Sequence, residues 1–238
     1  MSSGLVELVR AALDDAIATA ETRGAGADEL QGGGPVAALD AGCGRVSALK
    51  AFRPRIGRLV GADIHAPAAG ALSHLDEFVA VDLCADGAAF PAGTFDVVLS
   101  SFTVEHFADP TAALTNMRRW LRPGGSLVIT TVNRRHPFVA AYLGVPAFIR
   151  DRLQPLVKAT SADAHPLVGA CNTPAELDDA LAAAGFGPMR ISTVGHLEAA
   201  WGRRRWTRAL GRLGDRLVAG IPSRRSTILA VAIAPSSP

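Results

Sequence analysis

Three carboxylates, Asp40, Asp63 and Asp82, each close a short apolar run of β type: "VAALD" at 36–40, "RLVGAD" at 58–63 and "EFVAVD" at 77–82. The first is followed at once by Gly42-Cys43-Gly44. A glycine-rich turn between a strand and a helix lets the backbone approach a ligand closely, because no Cβ intervenes. The carboxylate beside it fixes the sign of the ligand's charge. Asp40 would repel a pyrophosphate seated over the following helix N-terminus, as in nicotinamide or flavin binding, and it favours a cation. In the dinucleotide pattern G-x-G-x-x-G/A the third position would also fall on Ser47, a small but irregular choice.

S-adenosylmethionine, with its sulfonium and α-ammonium, has the charge Asp40 favours. Asp63, 19 residues after Gly44, stands where a carboxylate accepts from ribose hydroxyls. Asp82, followed by Leu83, could accept from an adenine amino group while apolar neighbours cover the ring. A lone Asp at a strand end is more often a turn or helix cap. Three at successive strand ends, with the glycine loop at the first, point to one pocket.

The elements that must hold these residues follow from the rest of the pattern. Further β-type runs are "FDVVLSS" (95–101), "GSLVITTV" (125–132) and "TILAVAIA" (227–234). Helical stretches lie between, the clearest being "DPTAALTNMRRWL" (109–121), with Asp109 as cap and Pro110 at the first helical position. "NTPAELDDALAAAGF" has the same form, with Thr173 before Pro174 and Gly185 ending the helix. This alternation predicts an α/β fold: a mostly parallel sheet with helices on both faces, whose ligands bind at the carboxyl ends of the strands.

The ordered segments resemble the class I S-adenosylmethionine-dependent methyltransferases, in their small-molecule, type 11-like branch. "LDAGCGRV" resembles the family's glycine-bearing motif and "VGADIH" its acidic second strand. "VDLCADGAAFPAGTFDVVLSSFTVEHFADP" resembles the adenine-binding stretch and fourth strand, and "MRRWLRPGGSLVIT" the helix, Pro-Gly-Gly turn and fifth strand. The resemblance covers roughly residues 34–132. It implies a three-layer Rossmann-like fold with a seven-stranded sheet, the last strand antiparallel. It also implies that Asp40, Gly42, Cys43 and Gly44 hold the methionine end of the cofactor, Asp63 and Ile64 the ribose, and Asp82 and Leu83 the adenine. Ser101 would contact the cofactor through its backbone. Many relatives carry a third glycine where Val46 stands here, so the closure of the loop is this chain's own.

The expected activity is transfer of a methyl group from S-adenosylmethionine to a small organic acceptor by in-line displacement. Such a step needs alignment and exclusion of water; a base is needed only where a neutral hydroxyl must lose its proton. His106, in "TVEHFADP" after the fourth strand, is the best-placed candidate, with a structural role equally open. Asn133 and His136, in "TVNRRHPF" past the fifth strand, are candidates for substrate contact at the same mouth. Oxygen, nitrogen and carbon acceptors all remain open. An alternative from another class is a non-catalytic S-adenosylmethionine-binding protein that acts by interaction through its Arg-rich segment. A nicotinamide oxidoreductase is disfavoured by Asp40.

With 238 residues and 49% hydrophobic content, the chain is expected to form one domain over 1–238. It divides into an amphipathic helix at 4–22, the core at 34–132, a proline-interrupted lid at 133–172 that shapes the acceptor pocket, and a C-terminal core at 173–238. No run reaches the roughly 18 apolar residues of a membrane span, and Glu7, Asp14 and Asp15 argue against a signal peptide. Cys43, Cys84 and Cys171 lack CxxC spacing or paired histidines, which predicts reduced thiols, no metal and a cytoplasmic setting.

The net charge of +2 conceals an asymmetry: residues 201–225 hold eight Arg and one Asp, a local +7 against −5 elsewhere. On a helix, Trp206, Leu210, Leu213 and Leu217 share a stripe, with Arg204, Arg208, Arg212 and Arg216 on the other side. The expectation is a surface helix whose apolar stripe packs on the domain. Peripheral contact with an anionic membrane is an alternative, as is an acidic partner; nucleic acid is disfavoured, with no stacking platform. Gly211, Gly214 and Gly220 weaken an isolated helix, so this one needs a supporting surface. No pattern sets the oligomeric state.

Overall fold

Strand β1 (Val36–Ala41) is buried at all six positions, as a strand covered on both faces must be. It pairs in parallel with β2 (Ile56–Asp63) on one side and β4 (Phe95–Ser101) on the other. In the computed structural model, which describes residues 4–26, 35–45, 47–66, 72–85, 87–146, 148–149, 152 and 171–236, the sheet has seven strands in the order β3-β2-β1-β4-β5-β7-β6. β3 (Glu77–Ala80) forms one edge, and β5 (Leu121–Val132) follows β4 in parallel. β7 (Thr227–Ile233) runs antiparallel between β5 and the edge strand β6 (Met189–Val194), as the resemblance implied for the last strand.

Two apolar layers close the faces. Helix α1 (Gly4–Gly26) turns Leu5, Val9, Leu13, Ala16, Ile17 and Ala20 onto one face, against Ala38, Val97, Leu99 and Val128. Its Leu8 points to solvent. On the other face, α2 (Pro110–Trp120) brings Leu114, Met117 and Trp120, and α4 (Pro174–Ala183) brings Leu177 and Leu181, against Leu39, Val98, Leu127 and Ile129. Asp109 and Thr173 cap these helices as their sequence positions predict, accepting from Ala112 N at 2.9 Å and Glu176 N at 3.2 Å. Short α3 (Pro137–Gly144) opens the segment expected as a lid, and residues 153–170 of that segment lie outside the described residues. Beyond β6 come α5 (Leu197–Ala200) and α6 (Arg205–Leu217).

The strand limits differ from the sequence expectation at two places. β3 ends at Ala80, two residues before Asp82, because Asp82 turns to cap its own loop, its Oδ1 accepting from Cys84 N at 2.9 Å. β5 begins at Leu121 and runs through the Pro-Gly-Gly turn: its partner advances from Leu121 to Ser126 while β4 advances from Phe95 to Val97. Gly124, at φ +74°, makes this bulge possible. The bulge is tied to the end of β7 by Gly124 N donating to Ala234 O (2.8 Å) and Ala234 N donating to Gly125 O (2.9 Å).

Asp96 locks the opposite, amino-end edge of the central strands. Its nearly buried Oδ2 accepts from Ala37 N at 2.9 Å and pairs with Arg122 at 2.6 Å, joining β4 to β1 and β5. Asp96→Ala removes an acceptor from a buried amide and a partner from a guanidinium, so it should cost about 2–3 kcal/mol. Asp96→Asn, which keeps an acceptor for Ala37, should cost less. Urea unfolding of the three proteins checks the order.

Candidate functional site

The site is built where β1 and β4 end side by side. Asp40 sits in register with Gly61 of β2 and Leu99 of β4, within the sheet, and only 2% of it is exposed. Burial is the main force on its carboxyl, pushing its pKa up to about 7; the Ser47 hydroxyl bonds it and opposes the rise, and nearby Asp63 adds to it. Asp40 Oδ2 has no hydrogen-bond partner among the described residues. A buried acceptor of this kind is costly unless a donor or a cation arrives to meet it.

After β1 the chain turns on Gly42 (φ +81°) and Gly44 (φ +48°). Gly42 N and Cys43 N both donate to Ala62 O, at 2.7 and 3.2 Å, which lays the loop across the end of β2. Gly44 N donates to Asp63 Oδ2 at 3.0 Å, and His65 N to Asp63 Oδ1 at 3.2 Å. Asp63 therefore orients the glycine loop while keeping lone pairs for further donors. Ile64 beside it is largely exposed and Leu83, past the end of β3, is buried. Cys43 is also buried; desolvation first, then Asp40 and Asp63, push its thiol up to about 12, so it packs and does not react. Cys43, Cys84 and Cys171 are all free thiols.

One residue at this edge carries no signal in the glycine or acidic motifs. Thr103 stands over Gly42, where a Cβ on the glycine would come within 2.2 Å of Thr103 Cγ2. Its hydroxyl donates to Ser101 O at 3.2 Å, and the Ser101 hydroxyl pairs with Thr130 at 3.0 Å. Between them, Phe102 holds φ +53°, a left-handed conformation that costs a bulky residue about 1–3 kcal/mol and marks a constrained turn. In sequence Thr103 opens the segment "TVEHFADP", where nothing ties it to Gly42.

The methyltransferase domain family matches residues 39–129, which is the span from the middle of β1 to the middle of β5. That span is similar to the methyltransferase domain of type 11. Over 163 residues, the chain is also similar to a ubiquinone biosynthesis O-methyltransferase of Cereibacter sphaeroides, 36% identical, covering 63% of this chain and 60% of that protein. It is similar to a nocamycin O-methyltransferase of Saccharothrix syringae, 36% identical over 167 residues, covering 64% and 59%. The matches thus span about three-fifths of these relatives. In fold, the chain matches a S-adenosylmethionine-dependent methyltransferase from Archaeoglobus fulgidus at TM-score 0.54, with 18% identity over 97% of this chain and 95% of that one. The [4+2]-cyclase SpnF matches at TM-score 0.54, with 17% identity over 85% and 76%.

Within the matched span, the structure gathers Asp40, Gly42, Cys43, Gly44, Asp63 and Thr103 around one loop. Asp82 lies beyond the next strand, exposed and capping its turn. His106 closes a short 3-10 turn after Thr103, its N donating to Thr103 O at 2.9 Å, and is half-buried. Its neighbour Glu105 turns inward and accepts from Thr131 at 2.9 Å, fastening the turn to β5.

Asn133 and His136 do not face the mouth, as the sequence reading placed them. Both are fully buried. Asn133 donates to Ser223 O and Arg225 O, at 3.0 and 2.7 Å, and accepts from Arg135 N at 3.0 Å, so its amide joins the end of β5 to the segment before β7. His136 caps α3, its Nδ1 accepting from Phe138 N (3.2 Å) and Val139 N (3.4 Å). Burial lowers its pKa, against the pull of Asp215. The positions just past β5 follow the carboxyl edge, but a buried polar side chain there must first satisfy backbone.

Gly42→Ala meets two penalties, the positive φ and the contact with Thr103, and should lose about 1–3 kcal/mol. Adding Thr103→Gly should recover the steric part and leave the φ part. Unfolding free energies of the two single variants and the double variant measure that coupling.

Proposed function

We propose that the chain transfers a methyl group from S-adenosylmethionine to a hydroxyl of a small organic acceptor. The observation that carries the reading is Asp40: a buried carboxyl with an unpartnered oxygen beside a glycine turn, which a cationic ligand would satisfy. The residues fit that cofactor. Asp40 and the Gly42–Gly44 turn would hold its methionine end, Asp63 with Ile64 its ribose, and Leu83 with Asp82 its adenine, while Ser101 lines the adjoining strand end. Bound there, the sulfonium supplies an activated methyl carbon that an acceptor oxygen can displace in line. The hydroxyl as acceptor rests on the two relatives above, both named O-methyltransferases.

A hydroxyl acceptor must lose a proton, and His106 is our candidate base, placed by the turn that also seats Thr103. The chain's part is then to align, to exclude water and to accept that proton, with alignment supplying up to about 7–11 kcal/mol of the barrier. The lid at 133–172 is proposed to shape the acceptor side, and α3 is its described beginning.

Asp40 makes cofactor binding depend on pH. The free protein carries it protonated below about 7, and the cation needs it ionised, so binding releases a proton in that range. Affinity for S-adenosylmethionine should fall about tenfold per pH unit below 7 and level off above. Asp40→Asn should bind weakly with a flat profile. Calorimetry from pH 5.5 to 8.5 decides; a flat profile in the unmodified protein would remove Asp40 from the site. The linkage also acts on the unliganded fold. Its native pKa, about 7, lies above the unfolded 3.8, so stability falls as pH rises between the two values.

Because a cyclase shares the fold, methyl transfer itself needs a direct test. Incubation with methyl-labelled cofactor and a panel of hydroxylated aromatic and aliphatic acceptors should give a labelled product. His106→Ala should lower kcat by about 10²-fold and leave cofactor affinity within about twofold. An unchanged kcat removes His106 as the base, and a protein that binds cofactor yet labels no acceptor overturns the catalytic reading.

A further inference from the structure

Helix α6 is seated on the domain by its small residues. Thr207, Gly211 and Gly214 are buried, followed by Val218. A Cβ on Gly211 would stand 2.5 Å from Leu197 O, and one on Gly214 would stand 3.0 Å from both His136 Cε1 and Phe138 Cδ2. This overturns the expectation that the leucine stripe packs inward. Trp206 is 53% exposed, Leu210 41%, Leu213 49% and Leu217 59%, and the stripe continues into Ile221 at 45%. At 100° per residue, Arg205, Arg208, Arg212 and Arg216 occupy the other half of the same solvent-facing arc.

The charge on that arc is unbalanced. Asp215, the acid of the segment, is turned toward the domain and accepts from Glu198 N (2.9 Å) and Ser226 (3.0 Å). Arg212 pairs with Glu198 at 2.6 Å. Arg205 and Arg216 make no ion pair among the described residues, and Arg208 acts on Glu198 only through space. A helix with a tryptophan and leucines on one side and arginines beside them, held against a domain by its third side, has the form of an interfacial helix. Its length and composition do not suit a span: no helix among the described residues is long and apolar enough to cross a membrane.

We propose that this face of α6 docks the protein on the surface of an anionic lipid bilayer. The leucines and Trp206 enter the boundary between headgroups and acyl chains while the arginines meet lipid phosphates. The occupant follows from charge complementarity. A second copy of this chain would bring a like-charged arginine arc against this one. The docked edge is also the carboxyl edge of the sheet: α5 and α6 follow the end of β6, and His196, at the start of α5, stacks on Phe102 with ring centroids 6.1 Å apart. The membrane would thus lie on the side of the cofactor loop.

The test uses the full chain and vesicles of phosphatidylcholine, with or without phosphatidylglycerol. Flotation should show at least about tenfold stronger binding to the anionic vesicles, weakened by salt, with a blue shift of tryptophan emission that is lost in Trp206→Ala. Leu213→Glu with Leu217→Glu, both at exposed positions, should reduce binding at least tenfold while the unfolding midpoint stays unchanged. Arg208→Glu with Arg216→Glu should reduce it similarly and flatten the salt dependence. Equal binding to both vesicle types, or undiminished binding of the leucine variant, overturns the proposal. So does self-association in sedimentation that Leu213→Glu abolishes while vesicles remain unbound, which would assign the face to a second copy.

Discussion

A carboxyl group buried with one oxygen unpartnered is the constraint around which this structure is arranged. Asp40 lies inside a sheet covered on both faces, where an ionised carboxylate without a partner costs several kcal/mol. The protein answers only in part. Ser47 offers one hydrogen bond, and Asp63, close by, makes the field less favourable still. The result is a group held near its titration point, with one oxygen left for a donor or a cation. The glycine turn keeps that approach open, since at Gly42 both the φ of +81° and the nearness of Thr103 forbid a side chain. Asp63 holds the turn in place through Gly44 N, so the two carboxylates divide the work: one is left wanting a ligand, the other shapes the loop.

The sequence makes this frame legible wherever one physical cause dominates. Continuous apolar runs give β1 and β4, caps give α2 and α4, and the two glycines after Asp40 give the turn. It is less legible where two causes compete. The apolar run before Asp82 groups it with β3, yet its own side-chain bond to Cys84 N ends the strand earlier. The Pro-Gly-Gly segment reads as a turn, and it is a turn, but one absorbed into β5 as a bulge because Ala234 from the far end of the chain bonds both sides of it. β6 alternates burial along an edge and carries Arg190 and Ser192 outward, so no apolar run announces it. Thr103 is silent in the sequence for a simpler reason: it stands beside Gly42, a contact between residues 61 positions apart.

Asn133 and His136 show how position at an edge can mislead. Both follow β5 where a ligand-facing residue is expected, and both are polar types suited to substrate. Burial takes precedence: Asn133 meets three backbone groups that would otherwise lie unsatisfied in the interior, and His136 caps the first turn of α3. The same pair also receives the arginine segment, Asn133 through Ser223 and Arg225 and His136 through its contact with the Gly214 position. The anchor of α6 and the start of the proposed lid are therefore one structure.

That anchor settles which face of α6 turns inward, a question periodicity alone leaves open. A hydrophobic pattern at 3.6 residues identifies a stripe but not its partner, and the ordinary partner is the protein's own core. Here a second stripe at the same period, Thr207-Gly211-Gly214-Val218, competes for the interior. It wins because Leu197 O lies so close that only glycine fits at position 211. The glycines that lower helix propensity are thus what lets the helix sit down, with the bulky residues displaced to solvent. Leaving a tryptophan and four aliphatic side chains in water is unfavourable, at roughly 25 cal/mol per Å² of apolar surface. A surface that restores that loss while meeting unpaired arginines is the physical complement of this helix, and an anionic bilayer supplies both.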